Sequence, residues 1–239
     1  IDLGKLAQVL EIDATSRAAR IQAGVLGPAL EDQLRPHGFT LRHFPQSFEH
    51  STLGGWVAAR GAGQLSNRYG TVDKLLVAAT VATPRGLMAT SAFPASAAGP
   101  NLNQVLCGSE GTMGVITDAT VKLHPLPEAR KIFAFLFKSF DEGLTAVRAL
   151  VQEEIGAAMM RLSDAEETRF FGAFRHVIEP SRVNEWAEGA LGLVGYDHKC
   201  VLMVCVEGDA DEVTHKIKRI RAVAKARGGL YVGEGPGKS

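Results

Sequence analysis

The chain lacks most of the features that would announce a function outright. It carries no net charge, with 26 Lys and Arg against 26 Asp and Glu, so its composition holds neither a nucleic-acid-binding face nor an acidic tail. Its cysteines are few and odd in number. Cys107, Cys200 and Cys205 lack metal-ligand spacing and read as small buried residues of a reducing compartment. The longest apolar run, Leu75 to Ala82, is far too short to span a bilayer. The histidines (His37, His43, His50, His124, His176, His198 and His215) are scattered without the paired helical spacing of a zinc site, so no metal is expected. Each reads as structural or surface by default, His50 excepted because it stands among polar residues. Neither Ser47 nor Ser109 lies in the strand–elbow–helix pattern of a hydrolase nucleophile. Gly235-Pro236-Gly237-Lys238-Ser239 imitates a phosphate loop only at its end, because Val232 stands where that motif needs its first glycine. No repeat, low-complexity tract or signal peptide is visible. The chain opens at Ile1-Asp2-Leu3 without methionine, in what reads as the tail of a strand, and closes in a loop; both ends read as cut.

What is present is an ordinary globular composition, 239 residues with 46% apolar and 22% charged, enough for one large domain or two small ones. Two polar glycine stretches stand out. The first runs from Pro45 to Gly70 and contains Ser47, Ser51, Thr52, Gly54-Gly55, Gly61 and Gly63. The second, Gly108-Ser109-Glu110-Gly111-Thr112-Met113-Gly114, runs directly into the apolar Val115-Ile116. Glycine lets a ligand approach the backbone closely. Gly54-Gly55 followed by Trp56 to Arg60 reads as a loop feeding a short helix, whose unpaired N–H groups would face an anion. One such loop would most simply serve a tight turn, and Cys107 beside the second reads as core. Two polar loops shift the balance toward a ligand.

Along the chain, Val9 to Ile12 and Ala19 to Ala23 read as strands around a turn at Asp13. Gly27-Pro28 opens a helix with Leu30 and Leu34 on one face and Gly38 beyond its end. Lys74 to Thr83 and Leu87 to Thr90 read as strands about Pro84-Arg85-Gly86, Leu102 to Leu106 as one helical turn, and Val115 to Leu123 as an alternating strand. Pro125 and Pro127 mark a division, giving domains over 1–127 and 128–239. Beyond it the pattern predicts strands at Ile132 to Phe137, Ala158 to Leu162, Cys200 to Glu207 and Leu230 to Val232. Helices are predicted at Phe140 to Glu153, begun by Asp141, at Ser181 to Leu193 and at Asp209 to Arg227. Ser163 to Glu166 reads as a capping box. Arg161 sits within the apolar Met159-Met160-Arg161-Leu162. Alternation puts it either on a solvated face or against an anion, and its planar fork suits carboxylate or phosphate equally.

These residues carry a family resemblance. Ser51-Thr52-Leu53-Gly54-Gly55-Trp56-Val57-Ala58, Arg68-Tyr69-Gly70 and Gly108 to Thr117 together resemble the FAD-binding domain of the vanillyl-alcohol-oxidase/p-cresol-methylhydroxylase flavoproteins. Pro45 to Thr52, Thr83-Pro84-Arg85-Gly86, Arg161-Leu162-Ser163-Asp164 and Gly228-Gly229-Leu230 are most similar to its ether-lipid branch, the alkyldihydroxyacetonephosphate synthases and their bacterial relatives. The resemblance implies an α+β chain, with a PCMH-type FAD-binding subdomain followed by an α/β cap whose sheet is mostly antiparallel. It implies FAD contacts at Gln46, Ser47, Phe48, Glu49, His50, Ser51 and Thr52, beside the Gly54 and Gly55 that the helix start already makes candidates. Further contacts are implied at Ala59, Arg60, Gly61 and Ala62, and at Glu110, Gly111, Thr112, Met113, Gly114, Val115 and Ile116. Arg161 is implied in the substrate pocket.

In that branch the flavin holds dihydroxyacetone phosphate covalently while a fatty acid leaves and a fatty alcohol enters. The family's first pyrophosphate loop is expected before Ile1, and its catalytic residues after Ser239, so this segment alone is expected to be inactive. Gln46 stands where the synthases usually carry Asp, Met113 where they carry Leu, and Gly61-Ala62 replaces an Ala-Ser pair. The implied partners are a small-molecule or lipid-phosphate substrate and no nucleic acid; peripheral membrane association and a homodimer of the full-length enzyme fit the same resemblance, as does a cytoplasmic location for a bacterial-type relative. Two other functions suit the residues: an FAD-linked 2-hydroxyacid dehydrogenase or oxidase of the D-lactate or glycolate type, and a flavin-free binding protein on the same fold.

Overall fold

A computed structural model describes residues 1–93, 96–170, 195–196 and 199–234. The chain divides into two compact units, Ile1–Leu126 and Pro127–Ser239.

The first unit is built on a five-stranded antiparallel sheet. In chain order its strands are β1 (Val9–Asp13), β2 (Ala18–Gln22), β4 (Leu76–Thr83), β5 (Gly86–Ala89) and β6 (Val115–Lys122), arranged as β1-β2-β6-β4-β5. The β1–β2 turn is held by Asp13, whose Oδ1 accepts from the N–H groups of Thr15 at 2.9 Å and Ser16 at 3.0 Å. Residues 1–3, read from sequence as the tail of a strand, are not in one; Leu3 turns back through a hydrogen bond from the Leu6 N–H to its carbonyl. Pro28 begins α1 (Gly27–Leu34), where its missing N–H costs nothing, and Leu30 and Leu34 are fully buried. Short pieces complete the unit: β3 (Phe39–Thr40), α2 (Leu53–Ala58), α3 (Ser66–Tyr69), α4 (Val72–Leu75), α5 (Leu102–Leu106) and β7 (His124–Pro125). The strand predicted from Lys74 therefore starts two residues later, because the hydroxyl of Thr71 bonds the Asp73 carboxylate and sets one helical turn first. Ile21, Leu30, Leu53, Trp56 and Val121 share one core; truncating a side chain such as Leu53 to alanine there costs about 2–5 kcal/mol.

The second unit has strands β8 (Ala129–Phe137), β9 (Met159–Ser163), β10 (Cys200–Gly208) and β11 (Leu230–Glu234), ordered β11-β8-β10-β9 with every neighbouring pair antiparallel. Helix α6 (Phe140–Gln152) joins β8 to β9, α7 covers 165–170, and α8 (Ala210–Lys225) joins β10 to β11. Inserting β10 between β8 and β9 makes this the split βαβ arrangement of ferredoxin-like folds. Phe133, Phe135, Phe137, Leu202, Val204 and Val206 point to one face and pack with Ala146, Leu150, Val213 and Ile220 of α6 and α8. Alternation therefore sends Ile132, Ala134, Met159, Arg161, Val201 and Met203 to the opposite face.

Two helix starts differ from their sequence-based expectation. The cap of α6 is Ser139, whose Oγ accepts from the Glu142 N–H at 3.3 Å, and Asp141 lies in the first turn. The box expected at Ser163–Glu166 is displaced by one residue: Asp164 Oδ1 accepts from the Glu167 N–H at 2.8 Å. Ser163 instead ends β9, so the next residue is the first free to cap. The helix expected over Ser181 to Leu193 lies outside the described residues. Among the described residues, no helix is long and apolar enough to cross a membrane, and no group of His, Cys, Asp and Glu is placed to hold a metal.

Candidate functional site

The two glycine stretches meet in the first unit. Helix α2 starts at Thr52, whose Oγ1 accepts from the Gly55 N–H at 3.2 Å, and ends at Ala59. The second loop docks on its C-terminal end: the N–H groups of Gly108 and Glu110 donate to the carbonyls of Val57 (2.9 Å) and Ala58 (3.0 Å). These are carbonyls that a helix end leaves without an internal partner. Arg60 locks the junction. It adopts the left-handed conformation (φ 51°), and its guanidinium donates to Gln104 Oε1 at 2.9 Å and to the carbonyls of Gln104 and Cys107, each at 2.7 Å.

The helix start does not offer the anion site expected from Gly54-Gly55. The N–H of Leu53 donates to the Val25 carbonyl (3.1 Å) and that of Gly54 to the Ala23 carbonyl (2.8 Å), while Gly55 is spent on Thr52. A Cβ on Gly54 would lie 2.7 Å from the Ala23 Cβ, so this glycine serves close packing. The second loop behaves oppositely. Among the described residues the N–H groups of Gly111 and Met113 meet no acceptor, and a Cβ on Gly111 (φ 83°) would meet nothing within 4 Å. Glu110, Thr112 and Met113 are exposed, whereas Gly114 packs against Ala82 and Ile116 belongs to the core. The exposed Glu110 is itself left-handed (φ 49°). Strain of this kind tends to collect at functional sites.

Residues 46–52 form a turn over an aromatic stack. Gln46, Ser47, Glu49 and His50 are exposed. Phe48 stacks on Trp56 with ring centroids 6.1 Å apart and meets Phe44 edge-on at 4.9 Å. The Trp56 indole N–H donates to Ser51 Oγ (2.6 Å), which donates to the Ser47 carbonyl (2.7 Å). Ala59 and Ala62 are exposed and Gly61 half-buried. At the other end of the stack stands His43, a residue its sequence context left among the structural histidines. It is 1% exposed, its ring lies 5.0 Å from that of Trp56, and among the described residues neither ring nitrogen has a hydrogen-bond partner. Burial pushes its pKa down to about 4, so it is neutral at pH 7. A buried, neutral imidazole with no partner is a group awaiting one. Its neighbour Arg42, at φ 60°, could not have been picked out from sequence. A cavity of about 540 Å³ elsewhere in this unit, lined by Asp73, Val77, Asn101 and Asn103 among others, holds none of the residues assigned to FAD.

In the second unit Arg161 is half exposed and pairs with Glu167 on α7, not with the nearer Asp164 or Glu166. Capping by Asp164 brings Glu167 into the first turn of α7, within reach of Arg161. Hydrogen bonds from Ser163 and then Arg161 hold the Glu167 carboxyl below the usual range. Across the sheet Arg161 shares a row with Met203 and Ala134, on the face that also carries the Arg130–Glu207 ion pair.

The orphaned nitrogens of His43, the open N–H pair of Gly111 and Met113, and the space over Gly111 fit a flat aromatic cofactor with polar edges. Residues 1–91 match the family profile of an FAD binding domain, and residues 126–234 that of the C-terminal domain of FAD linked oxidases. The alkyldihydroxyacetonephosphate synthase of Dictyostelium discoideum is 33% identical over 248 residues, covering all of this chain and 40% of that protein. The synthase of Trypanosoma brucei brucei is 40% identical over 169 residues, covering 71% of this chain and 27% of that one. A solved structure of an alkyldihydroxyacetonephosphate synthase superposes with a TM-score of 0.88 at 31% identity, over 99% of this chain and 43% of the other. The chain thus spans less than half the length of each of these relatives.

Proposed function

This chain belongs to the FAD-linked oxidase family, uniting its FAD-binding and C-terminal domains, and from that premise we propose that it is part of an FAD-dependent synthase acting on acyl-dihydroxyacetone phosphate. The reaction would exchange the acyl chain for a fatty alcohol. The likeness to the synthases over the whole chain supports the ether-lipid assignment. The observation that carries the cofactor site is the docking of the Gly108–Gly114 loop on the end of α2, which leaves the Gly111 and Met113 N–H groups unused beside an exposed surface.

Within this assignment the first unit holds FAD. The turn at 46–52, residues 59–62 and the loop 110–116 supply the contacts, with Gly111 and Met113 donating from the backbone. Trp56 and Phe48 form a stiff apolar support, and Arg60 keeps the two loops together. His43 is added to this set: neutral at pH 7, it can donate one hydrogen bond and accept another at the same time. Bound FAD would supply the reactive ring at which the chains exchange. The second unit is assigned to the substrate. Its Arg161 meets the phosphate with two parallel hydrogen bonds, and Met203 and Ala134 in the same row suit the alkyl chain. Arg161 would then leave or share Glu167, an exchange at small cost because solvent screens an exposed ion pair.

The test uses the full-length enzyme. Incubated with an acyl-dihydroxyacetone phosphate and a labelled fatty alcohol, it should release one fatty acid for each labelled chain incorporated. Reduction of a dye by D-lactate, with no label incorporated, would assign it to the 2-hydroxyacid dehydrogenases of the same family instead.

A further inference from the structure

The segment that carries His43 is held from both ends. Beyond it, the Gln64 N–H donates to the Phe44 carbonyl at 2.9 Å, and Gly63 lies so close that a Cβ there would sit 2.7 Å from the Phe44 nitrogen. Before it stands a single carboxylate, Glu31 of α1. It is only 6% exposed, on a helix whose other inward residues are Leu30 and Leu34. Its Oε2 accepts from Thr40 Oγ1 at 2.7 Å and its Oε1 from the Leu41 N–H at 3.1 Å. Thr40 Oγ1 in turn accepts from the Arg42 N–H at 3.3 Å. One buried side chain therefore ties down three consecutive residues, and the third is the left-handed Arg42 that turns the chain into His43.

A carboxylate in such surroundings is disfavoured, and burial does raise its pKa; what it supplies is acceptors for the buried Thr40 hydroxyl and Leu41 N–H, which an apolar side chain would leave unpaired. We propose that Glu31 is a positioning residue of the FAD site: by fixing Thr40, Leu41 and Arg42 it sets the His43 ring against Trp56 and Gly61, and it acts through His43 without touching the cofactor. The inference rests on the assignment of His43 to the cofactor site made above.

A double-mutant cycle on the full-length protein separates this from a simple staple between α1 and β3. Glu31→Gln, His43→Ala and the double variant are compared for FAD affinity of the apoprotein, for the visible flavin spectrum, and for melting temperature without FAD. Glu31→Gln keeps the shape and one acceptor oxygen. It should weaken FAD about 5- to 30-fold and shift the flavin spectrum in the direction His43→Ala does, while the apoprotein melts almost as before. The double variant should bind FAD no more weakly than His43→Ala alone. Additive losses, or a lowered melting temperature with unchanged flavin affinity, would overturn the proposal. Should His43→Ala leave both affinity and spectrum untouched, the assignment of His43 fails and the positioning role falls with it. If instead His43→Ala matters and Glu31→Gln does not, the positioning role alone is refuted. Should Glu31→Gln fail to fold, Thr40→Val removes the hydroxyl that links the carboxylate to Arg42. A smaller loss of FAD affinity in the same direction supports the proposal, and unchanged affinity overturns it.

Discussion

Two glycines of similar appearance in the sequence should fail in opposite ways. An alanine at Gly54 places its Cβ 2.7 Å from the Ala23 Cβ and 3.0 Å from the Ala23 carbonyl oxygen. Neither can retreat easily, because the same carbonyl accepts the Gly54 N–H at 2.8 Å. Overpacking of this kind costs about 1–3 kcal/mol, and each kcal/mol lowers the melting temperature by roughly 2–8 °C depending on the size of the cooperative unit. At Gly111 there is room for a side chain, since nothing lies within 4 Å, but the backbone is left-handed at φ 83°. That geometry costs an L-residue about 1–2 kcal/mol, and the loop is exposed, so the fold should survive even valine. What valine takes is the space above two unused N–H groups. The assay is a melt of each apoprotein, followed by the FAD-to-protein absorbance ratio after desalting, well below either melting temperature. Gly54→Ala should melt several degrees lower and keep its flavin, whereas Gly111→Val should melt nearer the parent and lose at least about nine-tenths of it, an affinity loss of about 2.6 kcal/mol or more for a parent that is about nine-tenths occupied. Full flavin retention by Gly111→Val, or an emptied but folded Gly54→Ala, would refute the division of roles.

Three further outcomes are expected. Burial lowers the His43 pKa from 6.5 to about 4, so its neutral form is the folded one; the associated stability is complete above pH 6.5 and is lost as pH falls toward 4, by up to roughly 3 kcal/mol. Denaturant unfolding across that range should show the loss in the parent and not in His43→Leu, and parallel curves would contradict it. Arg161→Lys keeps the charge and loses the fork; substrate affinity should fall by about 1–3 kcal/mol with the melting temperature nearly unchanged, and the reverse pattern would leave Arg161 as no more than the partner of Glu167. Arg60→Lys cannot replace three hydrogen bonds to Gln104 and Cys107, so limited proteolysis should cut the 108–114 loop faster and FAD should bind more weakly; unaltered cleavage and affinity would show that the junction holds without it.

Much of the architecture was legible in the residues because its signals are local. Alternation marks β6 and β8, Pro28 opens α1, Gly228 follows α8, and the motifs Ser51–Ala58 and Gly108–Thr117 carry the resemblance to an FAD-binding family. Element ends were less legible. Ser139 caps α6 with Asp141 inside its first turn, and Asp164 caps α7 in place of Ser163 because β9 had already claimed that residue. By itself the sequence determined the α+β class, the family and the two glycine loops. Which loop keeps donors to spare was decided only in three dimensions: the Gly54 N–H is consumed by Ala23, a distant residue that the sheet carries beside it, whereas among the described residues nothing comes to meet Gly111. Likewise a histidine between Arg42 and Phe44 looks ordinary in a row of letters. It became a candidate cofactor ligand only when Trp56 and Gly61 closed around it, since burial and the absence of a partner depend on contacts between residues far apart in the chain.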